Sequence, residues 1–214
     1  MPRPRGYKQR TDEVISRLTH LYPSVKCALD HKNPYELLVA TILSAQCTDI
    51  RVNMVTPAFF SKYPDPLALA NAKIGDVEKL IQSTGFFRNK AKNLIGMAQA
   101  VVSRFDGEIP SERDDLVSLP GTGRKTANVI RAEAFGLPGL PVDTHVIRLS
   151  NRLKLTNQKD PVKIEFELME IIPEDQWGAF SLRLIEHGRK VCDAKKPRCE
   201  ECILSDICPS SGKL

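Results

Sequence analysis

Four cysteines near the end of the chain constrain this fold more than any other feature. Their spacing is Cys192-x6-Cys199-x2-Cys202-x5-Cys208. Four thiolates can hold either a zinc ion or an iron–sulfur cluster. Zinc ribbons usually pair two Cys-x2-Cys motifs, whereas this segment has one. The spacing therefore favours a [4Fe–4S] cluster over zinc.

The distribution of cysteines also indicates the cellular compartment. The chain has 214 residues and six cysteines, and the other two, Cys27 and Cys47, lie far from the terminal four. A secreted disulfide protein would spread its cysteines and carry a signal sequence. The basic segment Met1–Arg10 has no apolar stretch, and no run approaches the roughly 18 apolar residues of a membrane span. We therefore predict a cytoplasmic, nucleoid-associated monomer that contacts no membrane.

Helix signals recur along the chain, whereas strand patterns are scarce. Asn33-Pro34-Tyr35-Glu36 combines a cap, a proline at the first helical position and an acid that can bond back. The helix predicted from Tyr35 to about Ala45 is apolar almost all round, so it should be buried. Other predicted helices begin at Thr11, at Asp143 or Thr144 and at Pro161, or cover Pro66–Ala72, Asp76–Gln82, Asn89–Phe105, Arg113–Ser118, Arg124–Phe135 and Gln176–Val191. The pattern predicts an all-α chain.

A glycine-rich segment, Leu119–Gly123, separates two of these helices. Gly121 and Gly123 allow positive φ and expose backbone N–H groups. A loop of this kind before a helix N-terminus can bind an anion, because unpaired amides and the helix dipole point the same way. A simple turn is the alternative. Arg124 and Lys125 follow directly, which favours binding of a DNA phosphate without sequence preference.

Two residues near this loop could perform chemistry. Lys125 falls in the first turn of its helix, where the dipole disfavours an ammonium and favours the neutral amine of a Schiff-base nucleophile. A phosphate-binding ammonium is an equally supported alternative. Asp143 could cap the next helix, or it could face a sugar that becomes positive during glycosidic cleavage. Together, an amine and a carboxylate suffice to cut an N-glycosidic bond.

At these motifs the sequence resembles the helix-hairpin-helix DNA glycosylases, and more narrowly the endonuclease III family. The matching segments are Leu43–Asp49, Leu119–Ala127, Val142–His145 and the four terminal cysteines, in the same order. The resemblance implies two helical domains with the DNA cleft between them. One is a six-helix barrel domain, residues 27–137, with the helix-hairpin-helix, and the other is an iron–sulfur domain, residues 1–26 plus 138–214.

The resemblance also implies an activity and a role for several residues. Such enzymes excise oxidised pyrimidines from duplex DNA and nick the abasic site by β-elimination. Lys125 would attack C1′ and form a Schiff base, and Asp143 would stabilise the positive sugar. Gln46 would enter the space left by the flipped base, and Phe86 matches an apolar intercalating position. An ordinary polar residue at a helix end and a core aromatic are the respective alternatives.

A basic loop between the first two cysteine ligands is a further candidate DNA contact. It contains Lys195, Lys196 and Arg198, which would clamp a phosphate if the cluster fixes both ends of the loop. A solvated basic loop is the alternative. The net charge of +5 suits a polyanionic partner without requiring one. Two other functions stay open: a non-catalytic DNA-damage-binding module and a monofunctional mismatch glycosylase.

Overall fold

The computed structural model describes residues 4–213, in which helices are joined by loops. This part of the chain contains no β-strand, which confirms the all-α fold class. The α-helices are α1 Tyr7–Leu21, α2 Pro34–Leu43, α3 Asp49–Lys62, α4 Pro66–Ala70, α5 Ile74–Ile81, α6 Phe87–Arg104, α7 Arg113–Val117, α8 Arg124–Ala134, α9 Thr144–Arg152, α10 Pro161–Met169 and α11 Trp177–Lys190. In the described range, no helix has the length and apolar character to cross a membrane.

The helices divide into two compact units. Residues Cys27–Leu137 form one, here called the central unit. The described residues before and after it form the terminal unit. Each unit has its own hydrophobic core. The first three residues of the basic segment Met1–Arg10 lie outside the described residues.

The core of the central unit is built around α2. Asn33 caps this helix by accepting a hydrogen bond from the Glu36 backbone N–H at 2.9 Å, and Pro34 is its first residue. The predicted helix start is therefore confirmed, and the helix ends at Leu43 rather than near Ala45. Its side chains are buried on all faces, as their apolar character predicts. Helices α3, α6 and α8 pack against it.

The terminal unit joins the two ends of the chain. Helix α11 packs against α1 and α9, around a core that includes Val14, Leu18 and Leu149. The Arg17 guanidinium of α1 donates to both carboxylate oxygens of Asp206, at 2.6 and 3.0 Å, which ties α1 to the cysteine segment. The predicted start of α1 at Thr11 is wrong. The helix begins at Tyr7, and the Thr11 hydroxyl donates to the Tyr7 carbonyl at 2.8 Å inside it.

A half-buried acid on α8 gives a test of the packing of the central unit. Burial raises the pKa of Glu133, against the opposing effects of the Cys27 backbone N–H and nearby His31. The ionised form therefore destabilises the folded state. This cost is absent below about pH 4.5, grows as pH rises from there to the folded-state pKa, and is constant above it. Glu133→Gln, which keeps an acceptor for Cys27, should raise the urea midpoint more at pH 8 than at pH 5.

The exposed Glu108 offers a matched control for this substitution. Glu108→Gln should change the free energy of unfolding by no more than about 0.5 kcal/mol at either pH. A Glu133→Gln protein that is equally or less stable than the parent at both pH values would contradict the assignment.

Candidate functional site

The four predicted metal ligands line one apolar cavity in the terminal unit. Cys192, Cys199, Cys202 and Cys208 border it, each half-buried. The rest of the lining combines hydrophobic residues, such as Leu149, Leu153 and Leu204, with polar ones, such as Arg152 and His187. The surface that these residues expose to the cavity is almost entirely apolar. Iron–sulfur clusters are held by cysteine thiolates, and the burial around the sulfurs tunes them. The donor set and its apolar surroundings therefore fit a cluster.

Two side chains hydrogen-bond to ligand sulfurs, and the sequence patterns did not indicate either. The His187 Nε2 lies 3.3 Å from the Cys202 Sγ, while its Nδ1 lies 3.3 Å from the Tyr22 hydroxyl. The Arg152 Nη1 donates to the Cys192 Sγ at 3.2 Å. Outer-shell bonds of this kind orient metal ligands and are part of the site. Neither residue is close in sequence to the cysteine it contacts, so no local motif marks them.

The basic loop is held in place from both sides. The Arg152 guanidinium donates to the carbonyls of Asp193 at 2.6 Å and Ala194 at 2.8 Å. The Asp193 carboxylate accepts the backbone N–H groups of Lys195 and Lys196, at 2.8 and 3.1 Å, which lowers its pKa. Both lysine side chains are exposed. The backbone beneath these two cations is thus fixed by hydrogen bonds.

Arg198, the third predicted cation of this loop, has local partners. Its guanidinium forms an ion pair with Glu201 at 3.0 Å and donates to the Lys190 carbonyl. Part of its charge is therefore already compensated within the protein. The lysines at positions 195 and 196 are the better placed cations for an external phosphate.

The hairpin between α7 and α8 requires glycine at one of its two glycine positions. Gly121 has φ 79°, and a Cβ there would lie 2.9 Å from the Asn93 Cβ of α6. Gly123 has φ −92° and ψ 175°, which any residue adopts, and an added Cβ would meet none of the described atoms within 4 Å. Of the two glycines that allow positive φ, only Gly121 adopts it. Neither the backbone conformation nor the local packing therefore requires glycine at position 123.

Helix α8 begins at this glycine without a side-chain cap. Gly123 is its N-cap residue, and the first-turn amides belong to Arg124, Lys125 and Thr126. The Lys125 side chain is exposed. The arrangement has the features of an anion site, because backbone amides at a helix N-terminus can bind a negative group and Gly123 has no side chain to compete for them.

Asp143 does cap a helix, as one of its two interpretations predicted. Its Oδ1 accepts a hydrogen bond from the Val146 backbone N–H at 2.8 Å at the start of α9. An ionised carboxylate has two oxygens and about four acceptor positions. One capping bond therefore leaves acceptor capacity on the carboxylate, so capping is compatible with the catalytic interpretation.

Gln46 and Phe86 share an unusual backbone conformation. Both are exposed, and their φ angles are 53° and 48°. Left-handed φ is costly for residues with a Cβ and is concentrated at functional positions. The Phe86 side chain is 66% exposed, so its interpretation as a core aromatic is wrong. The neighbouring Phe87 is the one that packs against the central core.

Comparisons with known proteins match two parts of this chain to family models. Residues 39–174 match the family described as HhH-GPD superfamily base excision DNA repair protein, and residues 192–208 match the iron–sulfur binding domain of endonuclease III. Endonuclease III of Synechocystis sp. is 56% identical over 95% of this chain and 94% of its own length. The chain belongs to the endonuclease III family. The predicted helix-hairpin-helix glycosylase fold and the [4Fe–4S] cofactor are thereby confirmed.

Two solved structures of endonuclease III also resemble this fold. One is a non-covalent complex with DNA and the other a trapped covalent intermediate with DNA, described as an estranged-adenine complex. Each is 41% identical to this chain and superposes with a TM-score of 0.92. Each match covers 96% of this chain and 97% of the other.

The two hairpin glycines give a matched pair of substitutions. Gly123→Ser adds a capping hydroxyl to α8, so stability should stay the same or rise by about 0.3 kcal/mol. The hydroxyl would compete with a DNA phosphate for the same amides, and we expect duplex affinity to fall about tenfold, or 1.4 kcal/mol. Gly121→Ala should instead destabilise the fold by about 1–3 kcal/mol through its left-handed φ and the contact with Asn93.

Thermal melting and fluorescence anisotropy with a labelled duplex measure the two effects separately. A Gly123→Ser protein that binds duplex as tightly as the parent would show that these amides do not hold phosphate.

Proposed function

We propose that this chain excises oxidised pyrimidines from duplex DNA and then nicks the abasic site by β-elimination, with Lys125 as the nucleophile. The observation that carries this proposal is the position of Lys125: an exposed amine in the first turn of the uncapped helix α8. A covalent endonuclease III–DNA intermediate has been trapped in a structure 41% identical to this chain. Such an intermediate requires a nucleophile, and a lysine amine is suited to Schiff-base chemistry.

The reaction begins at C1′ of the damaged nucleotide. The neutral Lys125 Nζ attacks this carbon, and the N-glycosidic bond breaks with its electron pair leaving on the base, which takes up a proton. The C1′–O4′ bond then opens, O4′ is protonated, and a protonated imine joins Nζ to C1′. This imine makes the C2′ proton acidic. Loss of that proton expels the 3′ phosphate, and water hydrolyses the imine to release Lys125.

Asp143 acts on the charge that develops at the sugar. Breaking the glycosidic bond gives C1′ and O4′ positive character, which a fixed carboxylate stabilises. The cap to the Val146 N–H fixes this carboxylate. A rigid charge needs no reorganisation as the transition state forms.

Three surface features serve DNA binding in this proposal. The hairpin amides and Arg124 hold the backbone of the duplex without reading its sequence. Lys195 and Lys196 add cations that release counterions on binding. Gln46 and Phe86 fill the gap left when the damaged base leaves the stack. The [4Fe–4S] cluster, when bound, supplies a rigid crosslink of the cysteine segment that carries the two lysines.

Borohydride trapping tests the nucleophile directly. The wild-type chain, incubated with a duplex containing an oxidised pyrimidine and then reduced, should form a stable covalent adduct. Lys125→Ala should form none, because the amine that makes the imine is gone. Lys92→Ala, an exposed lysine on α6, is the matched control and should trap normally. An undiminished adduct in Lys125→Ala would assign the chemistry to a different amine.

Asp143→Asn separates the catalytic and capping roles. Asparagine caps helices as well as aspartate, so the melting temperature should barely change. The lost charge should lower kcat for base release by about 100-fold, or roughly 2.7 kcal/mol of transition-state stabilisation. Single-turnover base release, alongside thermal melting, gives both values. Full activity in this variant would show that Asp143 caps the helix but has no catalytic role.

The same assays distinguish the two other functions. A monofunctional mismatch glycosylase would release base without nicking or trapping. A damage-binding module would bind the lesion duplex but do neither. Nicking that keeps pace with base release on oxidised pyrimidine duplexes supports the bifunctional activity.

A further inference from the structure

A buried lysine in the central unit connects the two segments that carry Gln46 and Phe86. Lys90 lies on α6 and is only 4% exposed. Its Nζ donates to the Leu43 carbonyl at 2.8 Å and to the Thr84 carbonyl at 2.8 Å. Leu43 lies three residues before Gln46, and Thr84 lies two residues before Phe86. One side chain therefore joins two segments that are far apart in the sequence.

Each acceptor is the last residue of a helical element. Leu43 ends α2, and Thr84 ends the 3₁₀ turn Gln82–Thr84. Carbonyls at helix C-termini lack intrahelical partners and carry partial negative charge, which makes them good acceptors for an amine. Burial lowers the pKa of Lys90, while neighbouring Cys47 opposes that shift. A neutral amine still has two N–H groups, so either protonation state can bond both carbonyls.

The backbone around Lys90 adds to this connection. The Lys90 N–H donates to the Phe86 carbonyl at 3.1 Å, in the first turn of α6. On the other side, the Cys47 N–H donates to the Ser44 carbonyl at 3.0 Å, which closes the turn that contains Gln46. A left-handed residue with a Cβ persists only where its surroundings hold it. The hydrogen bonds of Lys90 provide such a restraint close to both Gln46 and Phe86.

We propose that Lys90 is a positioning residue that fixes the Gln46 and Phe86 turns relative to one another, so that both enter the DNA stack together. Lys90 contacts neither DNA nor the reacting sugar in this role. The inference rests on the proposed function, because it requires Gln46 and Phe86 to fill the gap left by a flipped base. In this proposal a single buried amine restrains both strained turns.

A comparison of two substrates tests this role. Excision from a lesion duplex requires base flipping and gap filling, whereas nicking of a single-stranded abasic oligonucleotide requires neither. Lys90→Met keeps the apolar stem and removes the donors. We expect the ratio of duplex base release to single-strand nicking to fall at least about tenfold, with the single-strand rate, which Lys125 sets, within about twofold of the parent.

Two further variants make the result interpretable. Lys92→Met makes the same chemical change at an exposed position on α6 and should leave the ratio unchanged. Lys90→Arg keeps a donor and a charge, so it should fold even if Lys90→Met does not. Its larger, planar head would bond the two carbonyls in a different geometry, so we expect it to lower the ratio in the same direction but less.

Each outcome bears on one proposal at a time. An unchanged ratio in a folded Lys90 variant overturns the positioning role. An equal loss on both substrates also overturns it, since Lys90 would then serve general stability. A wild-type chain that neither nicks nor traps on either substrate overturns the proposed function instead. A duplex with 2-aminopurine beside the lesion adds a direct readout, because Lys90→Met should reduce the unstacking signal at saturating protein.

Discussion

The burial of α2 is the constraint on which the central unit depends. A helix without a polar face must be covered on every side, so α3, α6 and α8 all pack against it. This packing determines where the functional segments begin. Gln46 follows the C-terminus of α2, the hairpin glycines precede α8, and Phe86 precedes α6. The apolar helix that carries no chemistry therefore positions three of the segments that are predicted to contact DNA.

In the terminal unit, polar contacts rather than an apolar helix hold the cysteine segment and its basic loop in place. Arg152 reaches both a ligand sulfur and the loop carbonyls, and Arg17 ties α1 to the cysteine segment. Guanidinium groups suit this task because one planar fork bonds several acceptors at fixed angles. These arginines restrain the segment whose four cysteines would hold the cluster. The backbone beneath Lys195 and Lys196 would consequently lose little freedom if these residues bound a phosphate, as proposed.

Features specified by local chemistry could be predicted from the sequence. The caps at Asn33 and Asp143 bond amides three residues away, and four closely spaced cysteines mark a metal site by themselves. The helix α3 was not predicted, because Pro57 lies inside it and its apolar residues form no clear stripe. The contacts of His187 and Arg152 with the cysteines were also missed. Each joins residues at least 15 apart, and only the tertiary fold brings them together.

The left-handed backbone at Gln46 and Phe86 shows how stability and function are balanced in this fold. Glycine at either position would relieve the strain, which costs about 1–3 kcal/mol per residue. Glycine would also remove the side chain that is proposed to fill the gap left by a flipped-out base. Gln46 and Phe86 nevertheless have side chains and left-handed backbone. The buried Lys90 amine lies where it can restrain both turns. In the proposed role, a rigid pair of turns would enter the base stack at less entropic cost than two independent mobile loops, which would give the strained conformation a function.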